Sequence, residues 1–310
     1  MSTALGGERV SCDVPWDASY LDLQPPERIG TLADLNDDGA GSFSPVAITS
    51  PFRILTDEGL EILQAVCREL EQYATTSSRI AKRMRGGVYR SEFLRGLVSD
   101  PELVAFLRGV ADAPLEPHPV LHHAAHLNYA PDDLARNVDQ WHRDSVSFDI
   151  VLMVTDPRTI AGGRFEYFLG PVEEGLRVLE EHGDLPRERV ASVAFPGPGS
   201  CILQQGHRVL HRATKLEEPG ERITLVASFW TPHPTLADPT DLGVLLRADG
   251  PETALVEWSR YAALVAARRL ERFAAEETIV GRSPDAVHRA LVSSLAEVEQ
   301  ALAAFDEHAV

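Results

Sequence analysis

The spacing of hydrophobic positions changes twice along the chain, and each change marks a different predicted structure. Residues 1–43 are rich in Gly, Pro and Asp and show little periodicity, which predicts an irregular leader. In residues 56–74 apolar side chains recur at helical spacing, with Thr56 as the candidate N-cap, and residues 100–111 form a second helical pattern. Helices are therefore expected before the main body of the protein.

Between about residues 119 and 230 the pattern becomes that of β-strands. Short apolar and β-branched runs are separated by Pro and Gly, and they read VLHHAAHLNYA, DQWHRD, FDIVLMV, GRFEYFLG, RVASVAF, SCILQQ, RVLHRAT and RITLVASFW. Many short strands with turn residues between them are typical of a barrel or jelly roll. The sequence predicts a mainly β core with flanking helices.

Helical spacing returns near the C-terminus. Residues 252–277 and 283–305 are both amphipathic, and the second segment has Ser283 as candidate N-cap and Pro284 at the first helical position. These helices are expected to brace the sheet. A homodimer interface formed by the same helices is the alternative.

Composition sets the scale of the protein. With 310 residues, 44% of them hydrophobic and 25% charged, the chain has the balance of an ordinary globular protein. We expect an irregular leader at 1–43, a β-domain at 44–250 and a helical extension at 251–310 that packs on the core.

Charge and cysteine content narrow the function classes. The formal net charge of −18 opposes nucleic acid and anionic membranes as partners, because phosphate binding depends on accumulated Lys and Arg, and it favours a small-molecule substrate. Three widely separated cysteines, Cys12, Cys67 and Cys201, predict reduced thiols rather than disulfides. The sequence starts without a signal-peptide pattern and has no stretch as long as a membrane span, so a cytoplasmic location is expected.

Candidate chemistry begins in the stretch QWHRDSVSFDIVLMVTD, where His142 and Asp144 stand two positions apart at the mouth of an apolar run. Alternate residues of a strand share a face, so both side chains could reach one ion. His207 and His211 offer a third ligand further along the chain. Two imidazoles and one carboxylate form the facial triad suited to non-heme Fe(II) oxygen chemistry.

These residues resemble the motif of the Fe(II)/2-oxoglutarate-dependent oxygenases, H-x-D followed by a distal His and an Arg about ten residues later. The local WHRD is most similar to their phytanoyl-CoA hydroxylase-like branch, and the resemblance covers about residues 119–230. It implies a double-stranded β-helix (a cupin-like jelly roll), Fe(II), 2-oxoglutarate as co-substrate and O2. The implied reaction oxidises an unactivated C–H bond of a small molecule, for example by hydroxylation in bacterial biosynthesis, and releases succinate and CO2.

The resemblance assigns individual residues. His211 matches the distal ligand because it lies eleven residues before Arg222, whereas His207 lies fifteen before it. Arg222 is the candidate for the C5 carboxylate of 2-oxoglutarate, and Thr224 on the same strand face could add a hydroxyl. Asn128 is a further candidate, because a related pattern has an Asn upstream of H-x-D that contacts the co-substrate.

Other chemistries have less support in the sequence. Nucleophile elbow, P-loop and dinucleotide-binding patterns are missing from it. The cluster His118, His122, His123 and His126 is not expected to bind metal, since no carboxylate or cysteine accompanies it, although His122 and His126 are expected on one strand face. Two alternatives stay open. A metal-dependent cupin-like isomerase would need the metal ligands but not Arg222 and Thr224. A non-catalytic binding β-barrel would need neither the metal ligands nor Arg222 and Thr224.

Overall fold

Two compact units make up the chain in the computed structural model, Met1–Thr231 and Pro232–Val310. The structure describes residues 11–232, 238–275 and 283–308. The division between the units lies before the predicted domain boundary at residue 250.

Antiparallel strands form the centre of the first unit. Their bounds are β1 Ile29–Thr31, β2 Val46–Thr49, β3 Phe52–Arg53, β4 Arg83–Met84, β5 Glu116–Pro117, β6 Ala125–Tyr129, β7 Asp139–His142, β8 Phe148–Met153, β9 Phe165–Phe168, β10 Val190–Ser192, β11 Ser200–Gln204, β12 His211–Ala213 and β13 Ile223–Trp230. Within the described residues, nine strands form a larger sheet in the order β1-β2-β11-β8-β13-β6-β4, with β3 beside β11 and β5 beside β13. The other four form a smaller sheet in the order β10-β9-β12-β7.

Helices flank these sheets. Those of the first unit are α1 Asp57–Leu70, α2 Glu92–Ser99, α3 Pro101–Ala111, α4 Leu121–Ala124 and α5 Val172–His182. The predicted N-cap of α1 is confirmed, because the Thr56 side chain accepts a hydrogen bond from the Gly59 N–H. The pattern at 100–111 corresponds to α3, while α2 and α5 were not predicted.

The larger sheet is buried on both faces, which explains its continuous apolar runs. All eight residues of β13 are buried. Leu225 and Phe229 face the core shared with α1 to α3, whereas Val226 belongs to a second apolar cluster with Phe165 of the smaller sheet. The two sheets therefore face each other, and the predicted mainly β jelly-roll core with flanking helices is confirmed.

The predicted irregular leader, residues 1–43, contains a strand and packs on the core in its described part. Strand β1 pairs with β2, in the register Ile29 to Thr49, and extends the larger sheet. Trp16 packs edge-on against Phe93 of α2, with ring centroids 5.1 Å apart. Three strand residues are too few to show periodicity, so their pairing depends on β2 and is invisible in the local sequence.

The second unit contains α6 Leu242–Ala275 and α7 Pro284–His308, which pack against each other. Gly250, before Pro251, interrupts α6 with non-helical angles (φ 76°, ψ 163°), so a new helical segment starts near the predicted boundary. Packing of this unit on the core, and a homodimer through it, stay predictions. No helix within the described residues combines the length and apolarity needed to cross a membrane.

Candidate metal centre

Two imidazoles meet at the ends of neighbouring strands in the smaller sheet. His142 is the last residue of β7, His211 is the first of β12, and the two are directly paired in the antiparallel register. Their ring centroids lie 4.2 Å apart. Strand pairing thus places residues that are far apart in sequence side by side.

Asp144 completes the group from outside the strand. Strand β7 ends at His142, and the backbone N–H of Asp144 donates to the Gly206 carbonyl at 3.0 Å instead of continuing the ladder. The carboxylate still faces both rings, with Oδ1 3.3 Å from His142 Nε2 and Oδ2 3.3 Å from His211 Nε2. The expected sharing of one strand face is therefore wrong in detail, although the side chains converge.

The three ligand atoms lie within 4.8 Å of one another, and no other cluster of this kind is found in the described ranges. Both rings are oriented by backbone carbonyls: His142 Nδ1 lies 2.7 Å from Gln140 O, and His211 Nδ1 lies 2.8 Å from Val209 O. Because a carbonyl only accepts, each Nδ1 carries a proton, and Nε2 is the nitrogen left to coordinate an ion. The donor set therefore fits a divalent transition metal.

The pKa shifts of Asp144 and His211 also favour a cation between these side chains. Burial alone would raise the pKa of Asp144, but His211 and His142 hold that pKa well below its usual value. Burial opposes charge on His211 as well, yet Asp144 raises the pKa of His211 to about 9. A carboxylate that stabilises a proton at this point would also stabilise a metal cation.

The other candidate histidines, His207, His122 and His126, lie outside this group. His207 Nδ1 is 3.2 Å from the Ser147 carbonyl oxygen. His122 belongs to α4 and His126 to β6, so the expectation that they share a strand face is wrong, because one helical turn precedes the strand. His126 lines the cavity that His142, Asp144 and His211 also line. Burial lowers the pKa of His126 to about 3 and keeps it neutral.

The co-substrate candidates line the same cavity as the three ligands. Thr224 of β13 is paired with Asn128 of β6, so the two lie on adjacent strands. Arg222, just before β13, is 3% exposed. Its Nε donates to the Gly163 carbonyl at 2.9 Å, while its Nη1 is buried without a hydrogen-bond partner in the described structure. Asn128 Oδ1 is also buried without a partner there.

An arginine buried in this way would be stabilised by an anionic ligand. Burial lowers the pKa of Arg222 to about 10, so the side chain remains charged at neutral pH. Leaving a charged N–H without an acceptor is costly, and a bidentate carboxylate is the matching ligand. The cavity thus combines three side chains that could hold a metal with a cation suited to binding a carboxylate.

Gly163 makes the position of Arg222 possible. Its φ of +62° favours glycine, and a Cβ built there would lie 2.8 Å from Arg222 Cδ and 2.9 Å from Nε. The absence of a side chain at Gly163 therefore leaves the space that the Arg222 side chain occupies.

Sequence reasoning missed two buried polar residues of the cavity. Asp149 lies in the apolar run of β8, and the Gln204 amide donates to both of its carboxylate oxygens, at 3.0 and 2.9 Å. Burial and the neighbouring Asp144 raise the pKa of Asp149 well above its usual value. A single acidic residue inside an apolar strand was the available signal, since such a group is costly to bury.

Arg79 reaches the cavity from the loop before β4. Its Nε lies 3.4 Å from Asp139 Oδ1, and its Nη1 lies 4.0 Å from Asp144 Oδ1. Asp139 Oδ1 is also 3.5 Å from His142 Nδ1. This ion pair therefore borders the first imidazole, and no local pattern predicted it.

Comparison of the sequence with protein-family models gives no match, and neither does comparison with curated proteins. Among solved structures, the chain is similar to the non-heme alpha ketoglutarate dependent epimerase SnoN from nogalamycin biosynthesis (TM-score 0.46, 13% identity, 65% of this chain and 82% of that one). It is also similar to EctD from S. alaskensis with bound Fe (TM-score 0.43, 15% identity, 74% and 88%). A third such structure is HygX from Streptomyces hygroscopicus with nickel and 2-oxoglutarate bound (TM-score 0.42, 14% identity, 61% and 83%).

Proposed function

We propose that this chain is an Fe(II)- and 2-oxoglutarate-dependent oxygenase that oxidises an unactivated C–H bond of a small molecule, with release of succinate and CO2. The observation that carries the proposal is one cavity lined by His142, Asp144, His211 and a buried Arg222 whose Nη1 has no partner among the described residues. Hydroxylation in a bacterial biosynthetic pathway is the reaction that we propose.

Each residue has a role in this scheme. The Nε2 atoms of His142 and His211 and the carboxylate of Asp144 would hold the iron, which when bound supplies the oxygen chemistry. Arg222 binds the C5 carboxylate of 2-oxoglutarate through its guanidinium, and the Thr224 hydroxyl donates to the same group. Asn128, on the strand beside Thr224, is the third proposed co-substrate contact.

The position of the cavity between the sheets suits such a reaction. Val151 and Val226 of the larger sheet and Phe165 of the smaller one supply apolar walls beside the polar groups. Apolar walls exclude water, which strengthens the Arg222–carboxylate interaction and protects reactive species from side reactions. The chain therefore contributes orientation and water exclusion.

The alternatives use fewer of these features. A metal-dependent cupin-like isomerase would need the metal ligands but leaves Arg222 buried without a function. A non-catalytic binding barrel leaves both the metal ligands and Arg222 without one. The desolvated, unpaired guanidinium N–H favours the oxygenase.

The proposal predicts iron-dependent formation of succinate. Protein loaded anaerobically with Fe(II), then mixed with 2-oxoglutarate and O2, should form succinate even without the primary substrate, although slowly. Mass spectrometry of the quenched mixture measures the product, with iron or O2 omitted as controls. Succinate formation that does not depend on iron, or none above the protein-free background, would contradict the proposal.

A second prediction concerns Gly163. In Gly163→Ala the new methyl group displaces Arg222, so the dissociation constant for 2-oxoglutarate should rise about tenfold, while Ni²⁺ affinity stays unchanged. Isothermal titration calorimetry measures both constants. Gly183→Ala is the matched control, because Gly183 has a similar φ of +80° but no atom within 4 Å of the built Cβ. Equal 2-oxoglutarate affinity in the two variants would contradict this role.

A further inference from the structure

Beside Asp144 the cavity contains a fully buried carboxyl group, Asp149, that the proposed function does not use. Asp149 of β8 and Gln204 of β11 are both 0% exposed, and they are direct partners in the antiparallel register of the larger sheet. A pair of apolar residues could fill such positions without the cost of burying an acid and an amide. Stabilisation of the fold therefore does not explain why Asp149 and Gln204 occupy these positions.

The Gln204 amide connects Asp149 to the metal site. Its Nε2 lies 3.0 and 2.9 Å from the two Asp149 oxygens and 3.3 Å from His211 Nε2, the atom that faces the ion. The contact between the Gln204 amide and His211 Nε2 is one of packing when an ion is bound, because a lone pair that coordinates an ion cannot also accept a hydrogen bond. Asp149 thus fixes the Gln204 amide beside a metal ligand.

Gly206 brings the same pair against Asp144. A Cβ built on Gly206 would lie 2.8 Å from Asp144 Oδ2 and 3.0 Å from Asp149 Oδ1, so both carboxyl groups converge on one glycine. The Gly206 carbonyl also accepts the hydrogen bond from Asp144 N–H. The space open to the Asp144 carboxylate is therefore bounded by Asp149 and by the backbone of this turn.

We propose that Asp149 and Gln204 are positioning residues of the metal centre: the Asp149 carboxyl orients the Gln204 amide, and together they hold His211 and Asp144 in the arrangement that binds the ion. This inference rests on the proposed function, because it assumes that the three ligands bind metal. The local sequence marks only Asp149, as an acidic residue in an apolar run, because its pairing with Gln204 is created by the register between β8 and β11.

Metal affinity tests the inference on the full-length apoprotein. Asp149→Leu and Gln204→Leu should each raise the dissociation constant for Ni²⁺ by about 10- to 100-fold, the usual loss when a group that orients a ligand is removed. Asp149→Asn, which keeps one acceptor oxygen for the Gln204 amide, should lie between the parent and Asp149→Leu. Calorimetric titration with Ni²⁺ measures each constant.

Ser228→Ala serves as the matched control. Ser228 of β13 is 3% exposed and is paired with Asp149 on its other side, but it does not line the cavity in the described structure. Its replacement should leave Ni²⁺ affinity unchanged. At saturating Co²⁺ the d–d absorption of the Asp149 and Gln204 variants should differ from that of the parent and of Ser228→Ala, because the ligand field of His211 changes.

The outcomes separate this inference from the proposed function. A parent protein that binds no Ni²⁺ contradicts the proposed function. A parent that binds Ni²⁺, with variants of equal affinity and unchanged Co²⁺ spectra, overturns the positioning role alone and leaves a purely structural pair. If the leucine variants fail to fold, Asp149→Asn decides by the same two readouts.

Discussion

Replacement of Arg222 by alanine is expected to abolish most of the affinity for 2-oxoglutarate and to leave metal affinity unchanged. The guanidinium is almost fully buried, and removing a charge-assisted bidentate pair in such a place costs roughly 2–5 kcal/mol, or about 30-fold to several thousand-fold in the dissociation constant. Titration of 2-oxoglutarate into the anaerobic Fe(II) protein, followed by its metal-to-ligand charge-transfer absorption, measures this constant directly.

Two further variants should lose less affinity for 2-oxoglutarate than Arg222→Ala. Arg222→Lys should recover only part of the affinity, because an ammonium cannot reproduce the planar fork of the guanidinium. Thr224→Ala should raise the constant more modestly, through loss of one hydrogen bond. Unchanged affinity in Arg222→Ala, or no absorption band even in the parent, would favour the isomerase or the binding barrel.

The largest effect on turnover is expected from the metal ligands. His142→Ala, Asp144→Ala and His211→Ala should each abolish iron-dependent succinate formation, because two ligands cannot hold the ion in its catalytic geometry. The fold should persist, since these side chains lie at strand ends and line a cavity. Succinate yield, calorimetry with Ni²⁺ and far-UV circular dichroism report these three properties.

His207→Ala is the control for the distal ligand. Its ring nitrogen lies near the Ser147 carbonyl, outside the ligand group, so the variant should keep metal and most activity. If His207→Ala lost the metal while His211→Ala kept it, the assignment of the distal ligand would be wrong.

Strands β8 and β13 could be predicted because both faces of the larger sheet are buried. Each of the eight predicted runs contains one strand, and the runs of β8 and β13 are mostly apolar because one side faces the helices and the other faces the smaller sheet. Strands β1 to β5 have only two to four residues, which is too few to show an alternation of apolar and polar positions. They form because each pairs with a longer strand. Helix α5 was missed between two predicted strands.

For the site, sequence spacing was informative where the chemistry requires polar residues next to apolar strands. His142, Asp144, His211 and Arg222 stand out for that reason, and the structure brings the first three together and places Arg222 in the same cavity. The contact between Asp149 and Gln204 depends instead on the pairing of distant strands. Spacing within one segment carries no information about such a register.

Both ligand imidazoles are held by the carbonyl of the residue two positions earlier, Gln140 for His142 and Val209 for His211. The backbone therefore fixes the orientation of both rings during folding, and the same nitrogen and oxygen donors suit other first-row divalent ions as well as Fe²⁺. By the Irving–Williams order such a preorganised site favours Ni²⁺, Cu²⁺ or Zn²⁺ over Fe²⁺. Under the proposed function, iron occupancy would then depend on which metals are available to the protein, and binding of another divalent ion would inactivate it.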